Sequence, residues 1–427
     1  MGILTALNIG VSGLRASGES MSVVGNNIAN ANTNAFKKGR AEFQDMLSKS
    51  LKGIDGGDQV GSGVELAHVT NIFNQGSLAR TDNITDLAIS GNGFFMVEGP
   101  NGARNFTRDG QFHFDKDGFL INGDGYKVFG FGADESGNIS SKQEKIKLGN
   151  TTVPAKGTSV VTANMNLDSR EKIKQFNPQD PIKTSHFNNS ITVYDNVGTS
   201  HVVGLYFNKI GDNQWQYHAL VDGKEAAGGV PGQMMEMANG TLVFNNKGQL
   251  QQEVDGLNSF NFSGGAAPGQ KIKFDFGKSI TEGGNGNDAG TQYGSESTMA
   301  RHTQDGYSAA TLANLSFDGD GVLTASYTNG FSKPLSQVAI SKFENNEGLT
   351  KIGKNLFKET RLSGQGAVGK PGKDGRGQIM AKTLELSNVD IAEEFVGLMN
   401  SQRNFQANVK TMTTADKMLQ EVIQLKR

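Results

Sequence analysis

A chain of 427 residues is long enough for two or three domains with cores of their own. Its 41 basic and 43 acidic side chains leave a formal charge of −2, so nothing draws it to nucleic acid or to an anionic membrane surface. Cysteine is absent, which excludes disulfides, thiolate metal sites and a cysteine nucleophile.

From about Ile3 to Ala29 the pattern is helical, with apolar side chains at Leu4, Leu7, Val11, Leu14, Met21 and Ile28. These steps of three and four place them on one face of a helix. Gly10, Gly13, Gly18 and Gly25 interrupt the run, each costing about 1 kcal/mol relative to Ala, so the helix is expected to form fully only when packed. Asn26-Asn27-Ile28-Ala29-Asn30-Ala31-Asn32-Thr33-Asn34 then ends it, because Asn favours caps and turns. This first piece, 1–34, is an N-terminal arm. Segment 35–71 is polar and Gly-punctuated and reads as an extended linker.

Short strands separated by turn signals follow over 72–152, with Asn122-Gly123-Asp124-Gly125 as one clear turn. A second β region spans 153–305 and is read as an outer domain inserted into an inner one, whose second part is 306–363. Its Ile272-Lys273-Phe274-Asp275-Phe276 alternates as a half-buried strand should. With Gly at 57 and apolar residues at 36%, tight turns outweigh helical bulk. Segment 364–386 reads as a linker, its Gly-rich start as an exposed flexible loop.

The last segment, 387–427, is a C-terminal helix with a capping signal in Ser387-Asn388-Val389-Asp390. Its apolar side chains, Ile391, Phe395, Leu398, Phe405, Val409, Met412, Leu419 and Ile423, keep the same three–four alternation. Only Gln402 and Asp416 break the seam, which is the pattern of a coiled coil. The expected fold class is therefore a mainly β, multi-domain body. Helical arms at both termini form a coiled-coil-like assembly core, with the two apolar seams as its interface.

No chemistry has an obvious home. Gly364-Gln365-Gly366-Ala367-Val368-Gly369 spells a dinucleotide fingerprint, but Pro371 follows where a helix would have to receive the pyrophosphate. Gly283-Gly284-Asn285-Gly286-Asn287-Asp288 and Asp318-Gly319-Asp320-Gly321 look like fragments of calcium loops without the remaining ligands, and read better as turns. The six His show no metal-ligand spacing. Catalytic, cofactor and metal residues are expected to be none, and the chain is not expected to be an enzyme. The first charge is Arg15 and no stretch approaches the ~20 apolar residues of a membrane span, so membrane insertion and a cleavable signal peptide are not expected.

Several motifs carry a resemblance. Ser12-Gly13-Leu14-Arg15-Ala16 with Asn27-Ile28-Ala29-Asn30-Ala31-Asn32-Thr33, and Leu384-Glu385-Leu386-Ser387-Asn388-Val389-Asp390 with Gln402-Arg403-Asn404-Phe405-Gln406-Ala407-Asn408, resemble the terminal signatures of the bacterial flagellar rod/hook axial protein family. Asn34-Ala35-Phe36-Lys37 departs from it, since Gly is usual before the Phe. Asp86-Leu87-Ala88-Ile89-Ser90-Gly91-Asn92-Gly93-Phe94-Phe95 and Phe106-Thr107-Arg108-Asp109-Gly110 are similar to its internal motifs. The centre is most like the hook branch; a distal-rod or hook–filament junction member stands behind it, and a secreted β-rich adhesin further back. The resemblance implies a subunit exported unfolded by the flagellar type III apparatus and located in the extracellular hook. It would polymerise beneath a hook cap into a curved tube that passes motor torque to the filament as a universal joint. The implied partners are copies of itself, distal rod, hook cap and junction proteins, and the export apparatus.

Overall fold

The computed structural model describes residues 2–46, 49–50, 59–134, 137–286 and 288–425. Its residues fall into two compact units. One comprises Met1–Gly149, Asn314–Ala325 and Ser332–Arg427; the other comprises Asn150–Ala313 and Ser326–Phe331. The expected class is what is found, a mostly β chain with a helix at each end, Gly2–Ala29 and Ile391–Leu425. At ~1.5 Å per residue they run about 42 and 52 Å. The C-terminal helix starts later than the motif at 387 indicated. Its cap is Asp390, whose Oδ1 accepts the N–H groups of Ala392 and Glu393.

The linker reading of 35–71 needs correction. Gly39–Asp45 and Val64–Asn71 form an antiparallel pair with a bulge at Glu42/Phe43. Polar composition hid it, because little of either strand is buried. The segment 364–386 is likewise no free linker. Ala367–Gly369 pairs with Ile340–Lys342, Gln378–Ala381 with Leu87–Ser90, and Thr383–Glu385 with Leu78–Arg80. Pro371 and Gly377 are buried, and a Cβ on Gly366 would sit 2.2 Å from Ser341 Oγ. Glycine in this loop serves close packing as well as freedom.

In the first unit, Phe94 and Phe95 point to opposite faces of one strand, as successive residues must. Phe95 joins a core with Leu87, Val97, Leu120, Val338 and Ile340. Phe94 joins a second with Phe106, Phe343 and Phe357, where rings meet edge to face. Hairpins in both units share one closing device. Asp115, Asn122, Asp195, Asn245 and Asp318 each accept the N–H groups two and four residues on. A glycine three residues on takes the positive φ the turn demands, between 72° and 96°. Asp318-Gly319-Asp320-Gly321 is thus a turn whose carboxylate is occupied by backbone. Among the described residues no three His, Asp or Glu side chains gather as a metal group; Asn287, in the other loop, lies outside the described residues.

The second unit holds a five-stranded antiparallel meander: Phe187–Tyr194, Ser200–Gly211, Gln214–Asp222, Met234–Phe244 and Leu250–Asn258. A smaller sheet is centred on Val160–Asp168. Trp215, the only Trp, is fully buried, and its Nε1–H donates to Gln292 Oε1 at 2.9 Å.

Glu253, on the last strand of the meander, has a buried Oε1 with no partner. Burial first, then Asp255 and Asp275, pushes its carboxyl up to about 8 from 4.5. The folded state therefore holds a proton that the unfolded chain releases. Stability present below about pH 4.5 is lost as pH rises through 8. We predict that Glu253→Gln flattens this slope and is the more stable protein at pH 9, by about 1–3 kcal/mol after allowance for solvent screening, with no gain at pH 4. Trp215 fluorescence during denaturation reads this unit alone. A wild-type midpoint independent of pH between 5 and 9 would refute the assignment.

Candidate assembly surface

The two terminal helices pack against each other, antiparallel, through small and polar side chains. A Cβ on Gly13 would lie 2.6 Å from the Asn408 amide nitrogen, so these helices approach closely there. Ser20 and Ser401 join their hydroxyls at 3.0 Å. Asn27 Nδ2 donates to Glu394 Oε2 at 3.1 Å. Val24 lies against Gly397, and Gly10 against Met412.

The apolar stripes expected from the sequence flank this contact line, offset from Gly13, Ser20, Asn27, Glu394 and Asn408 by one residue, and Met412 reaches it. Leu7, Leu14, Met21 and Ile28 are half-buried, as are Leu398, Val409, Met412 and Leu419. Val11 is exposed, and Ile391, Phe395, Phe405 and Ile423 keep 45%, 49%, 38% and 63% of their surface open. The side chain of Leu4 lies outside the described residues. Val396, Met399 and Met418 add to the exposed apolar surface. A run of uncovered aromatic and aliphatic side chains along a long helix makes this stripe the candidate assembly surface. Gly18 and Gly25 fall in the same N-terminal stripe, with nothing within 4 Å of the Cβ each lacks.

The signature motifs build the root from which both helices rise. Glu385 is completely buried, its Oε1 2.5 Å from Lys37 Nζ and its Oε2 3.3 Å from Arg108 Nη1. Gly76 N–H donates to the same carboxylate, and Lys37 Nζ also reaches Asn74 O at 2.8 Å. One anion thus serves two cations, and burial holds both Lys37 and Arg108 below their usual ranges despite Glu385. Arg108 also donates to Ile89 O and Gly91 O. Asn388 accepts from Lys38 N–H and donates to Ile72 O. Asn27 exchanges two hydrogen bonds with the Gly39 backbone. Ala35 takes a left-handed φ of 56° and is buried, which explains why Gly is usual at that position.

Sequence reasoning found the stripes and missed this contact line and this root. A signal for the line was present: Gly13, Ser20 and Asn27 recur every seven residues, as do Glu394, Ser401 and Asn408. Nothing in composition marks Glu385 as buried.

Residues 7–37 match the flagella basal body rod protein family and 380–425 the flagellar basal body rod FlgEFG protein C-terminal family. Residues 88–165 match the flagellar hook protein FlgE/F/G D1 domain, and 164–307 the flagellar basal body protein FlaE D2 domain. The flagellar hook protein FlgE of Escherichia coli strain K12 is 32% identical over 429 residues, 99% of this chain and 100% of its own. The chain belongs to the flagellar hook protein family. The hook protein FlgE of Borreliella burgdorferi is 34% identical, covering 99% of this hook-family chain and 100% of its own. The crystal structure of Helicobacter pylori flagellar hook protein FlgE2 matches 72% of this chain and 100% of its own, with a TM-score of 0.54 at 15% identity, and so shares the fold. No helix among the described residues is long and apolar enough to cross a membrane.

Proposed function

We propose that this chain is a structural subunit of the bacterial flagellar hook. It polymerises into a flexible curved tube that transmits motor torque to the filament as a universal joint. The observation that carries the reading is the exposed apolar stripe of the C-terminal helix, Ile391, Phe395, Phe405 and Ile423, on a helix already held to its own β unit. Full-length similarity to hook proteins supports it. The stripes close against neighbouring copies and exclude water, while polar, Gly-rich β surfaces let neighbours shift as the tube bends. In this reading the second unit, Asn150–Ala313 with Ser326–Phe331 rather than 153–305 alone, is an insertion within the inner β-domain, which keeps correspondingly less of 306–363. Partners are further copies, the distal rod, the hook cap, the hook–filament junction proteins and the export apparatus. The location is the extracellular hook, and the role is mechanical rather than enzymatic.

Electron microscopy of polymers from the purified protein, and its expression in cells lacking their own hook protein, test the proposal. Curved tubes and restored motility are expected. Straight, rod-like polymers that leave cells immotile would overturn it in favour of a distal-rod subunit.

A further inference from the structure

Along the helix contact, Gly13 meets Asn408, Ser20 meets Ser401 and Asn27 meets Glu394. The numbers step by seven in opposite directions on the two helices, so the three contacts occupy one repeating position of an antiparallel heptad seam. The same step leads to Ala6 and to Ala415, the latter buried. At a seam position that apolar residues usually fill, this chain places a glycine, two serines, two amides and a carboxylate.

We infer that this polar ladder sets the register of the two terminal helices, and that the apolar stripes do not. Its rungs fit only one alignment. Gly13 leaves the room that the Asn408 amide occupies. Asn27, almost wholly buried, spends its donors on Glu394 and Gly39 O and its acceptor on Gly39 N–H. Lys38 holds Glu393 at 2.7 Å and lies 3.7 Å from Glu394, tying the end of the ladder to the root. A slip of one heptad that set Ser20 opposite Asn408 would put the shorter Ser401 where Glu394 now accepts from the buried Asn27 amide. Leaving a buried donor unpaired costs more than a hydrogen bond contributes, so polar rungs select one register even while pairing weakly. The apolar stripes, repeating with the same period, would accept a slipped alignment almost equally well.

The absence of cysteine makes the test clean. The Ser20 and Ser401 hydroxyls lie 3.0 Å apart, so the pair Ser20→Cys, Ser401→Cys reports the native register by disulfide formation under mild oxidation. The pair Ser17→Cys, Thr411→Cys reports a one-heptad slip. In the full-length monomer with its own ladder, only the first pair should cross-link. In the background Glu394→Leu, Asn408→Leu, the second pair should cross-link as well, its yield rising at least tenfold. A silent second pair in that background, with the first unchanged, would overturn the inference. The background Glu394→Gln, Asn408→Gln keeps polar rungs and should keep the native register; slippage there would show that the polarity of the rungs is not the cause. Cross-linking is read on the monomer and polymerisation separately by microscopy, so a chain that forms no hook leaves this result standing.

Discussion

Replacing Phe405 with Asp is expected to abolish polymerisation while the monomer stays folded. Phe405 is 38% exposed in the single chain, so the substitution asks little of the monomer, on the order of 1 kcal/mol. In an assembly that covers the stripe, each subunit would bury a carboxylate against the apolar surface of its neighbours. Burying an unpaired charge costs several kcal/mol even after relaxation, and a polymer meets that cost at every subunit. Sedimentation and electron microscopy should find only monomer. Phe405→Leu, which keeps the site apolar, should still assemble. Tubes formed normally by Phe405→Asp would remove the apolar stripe from the interface and leave the helices with another role.

The second large effect is expected at the root. Glu385→Gln keeps the shape of the side chain and withdraws the single anion from two buried cations. Breaking a buried pair by removing one partner costs about 3–5 kcal/mol, because the remaining charge stays out of water. The first unit should melt at markedly lower temperature, while Trp215 in the second unit reports no change. The sign of the pH dependence follows from Lys37, whose ammonium burial already holds below its usual range. A group that sheds its proton more readily when folded favours the folded state as pH rises. The deficit of Glu385→Gln should therefore shrink from pH 7 toward pH 10. Adding Lys37→Met should recover part of it at neutral pH, since an apolar side chain tolerates the site without a partner. If Glu385→Gln melts within a degree of wild type, the triad does not anchor the helices.

Both predictions separate two jobs that lie close together at the termini. Family signatures in the sequence, from Asn27 to Lys37 and from Leu384 to Asp390, hold the helices on the β unit through Asn27, Lys37, Glu385 and Asn388. Along the stripes, Val11, Ile391, Phe395, Phe405 and Ile423 keep much of their surface open. A substitution in the first set should unfold the base, and one in the second should spare the fold and stop growth.

Periodicity alone made the arms, their faces and the β character of the body legible. A repeat of three and four residues and a turn pattern of Asp or Asn with Gly three later are local properties, and backbone geometry dictates both wherever they occur. Family membership was legible for a similar reason, because its motifs are runs of adjacent residues. What stayed hidden depends on distance along the chain. The pair Gly39–Asp45 and Val64–Asn71 is mostly polar, and the alternation in Arg40-Ala41-Glu42-Phe43-Gln44 and Val64-Glu65-Leu66 is too short to announce a partner further along the chain. The loop from Gly364 became strand only because Ile340–Lys342 offered an open edge. Glu385 looks like any surface acid until Lys37 and Arg108, 348 and 277 residues away, close around it. The choice of which helix faces meet was tertiary too. Apolar spacing marks a face as able to be buried, but it cannot say by whom; close approach at Gly13 and the hydrogen bonds of Ser20 and Asn27 centre the inner contact on the polar face and leave the apolar one only partly covered.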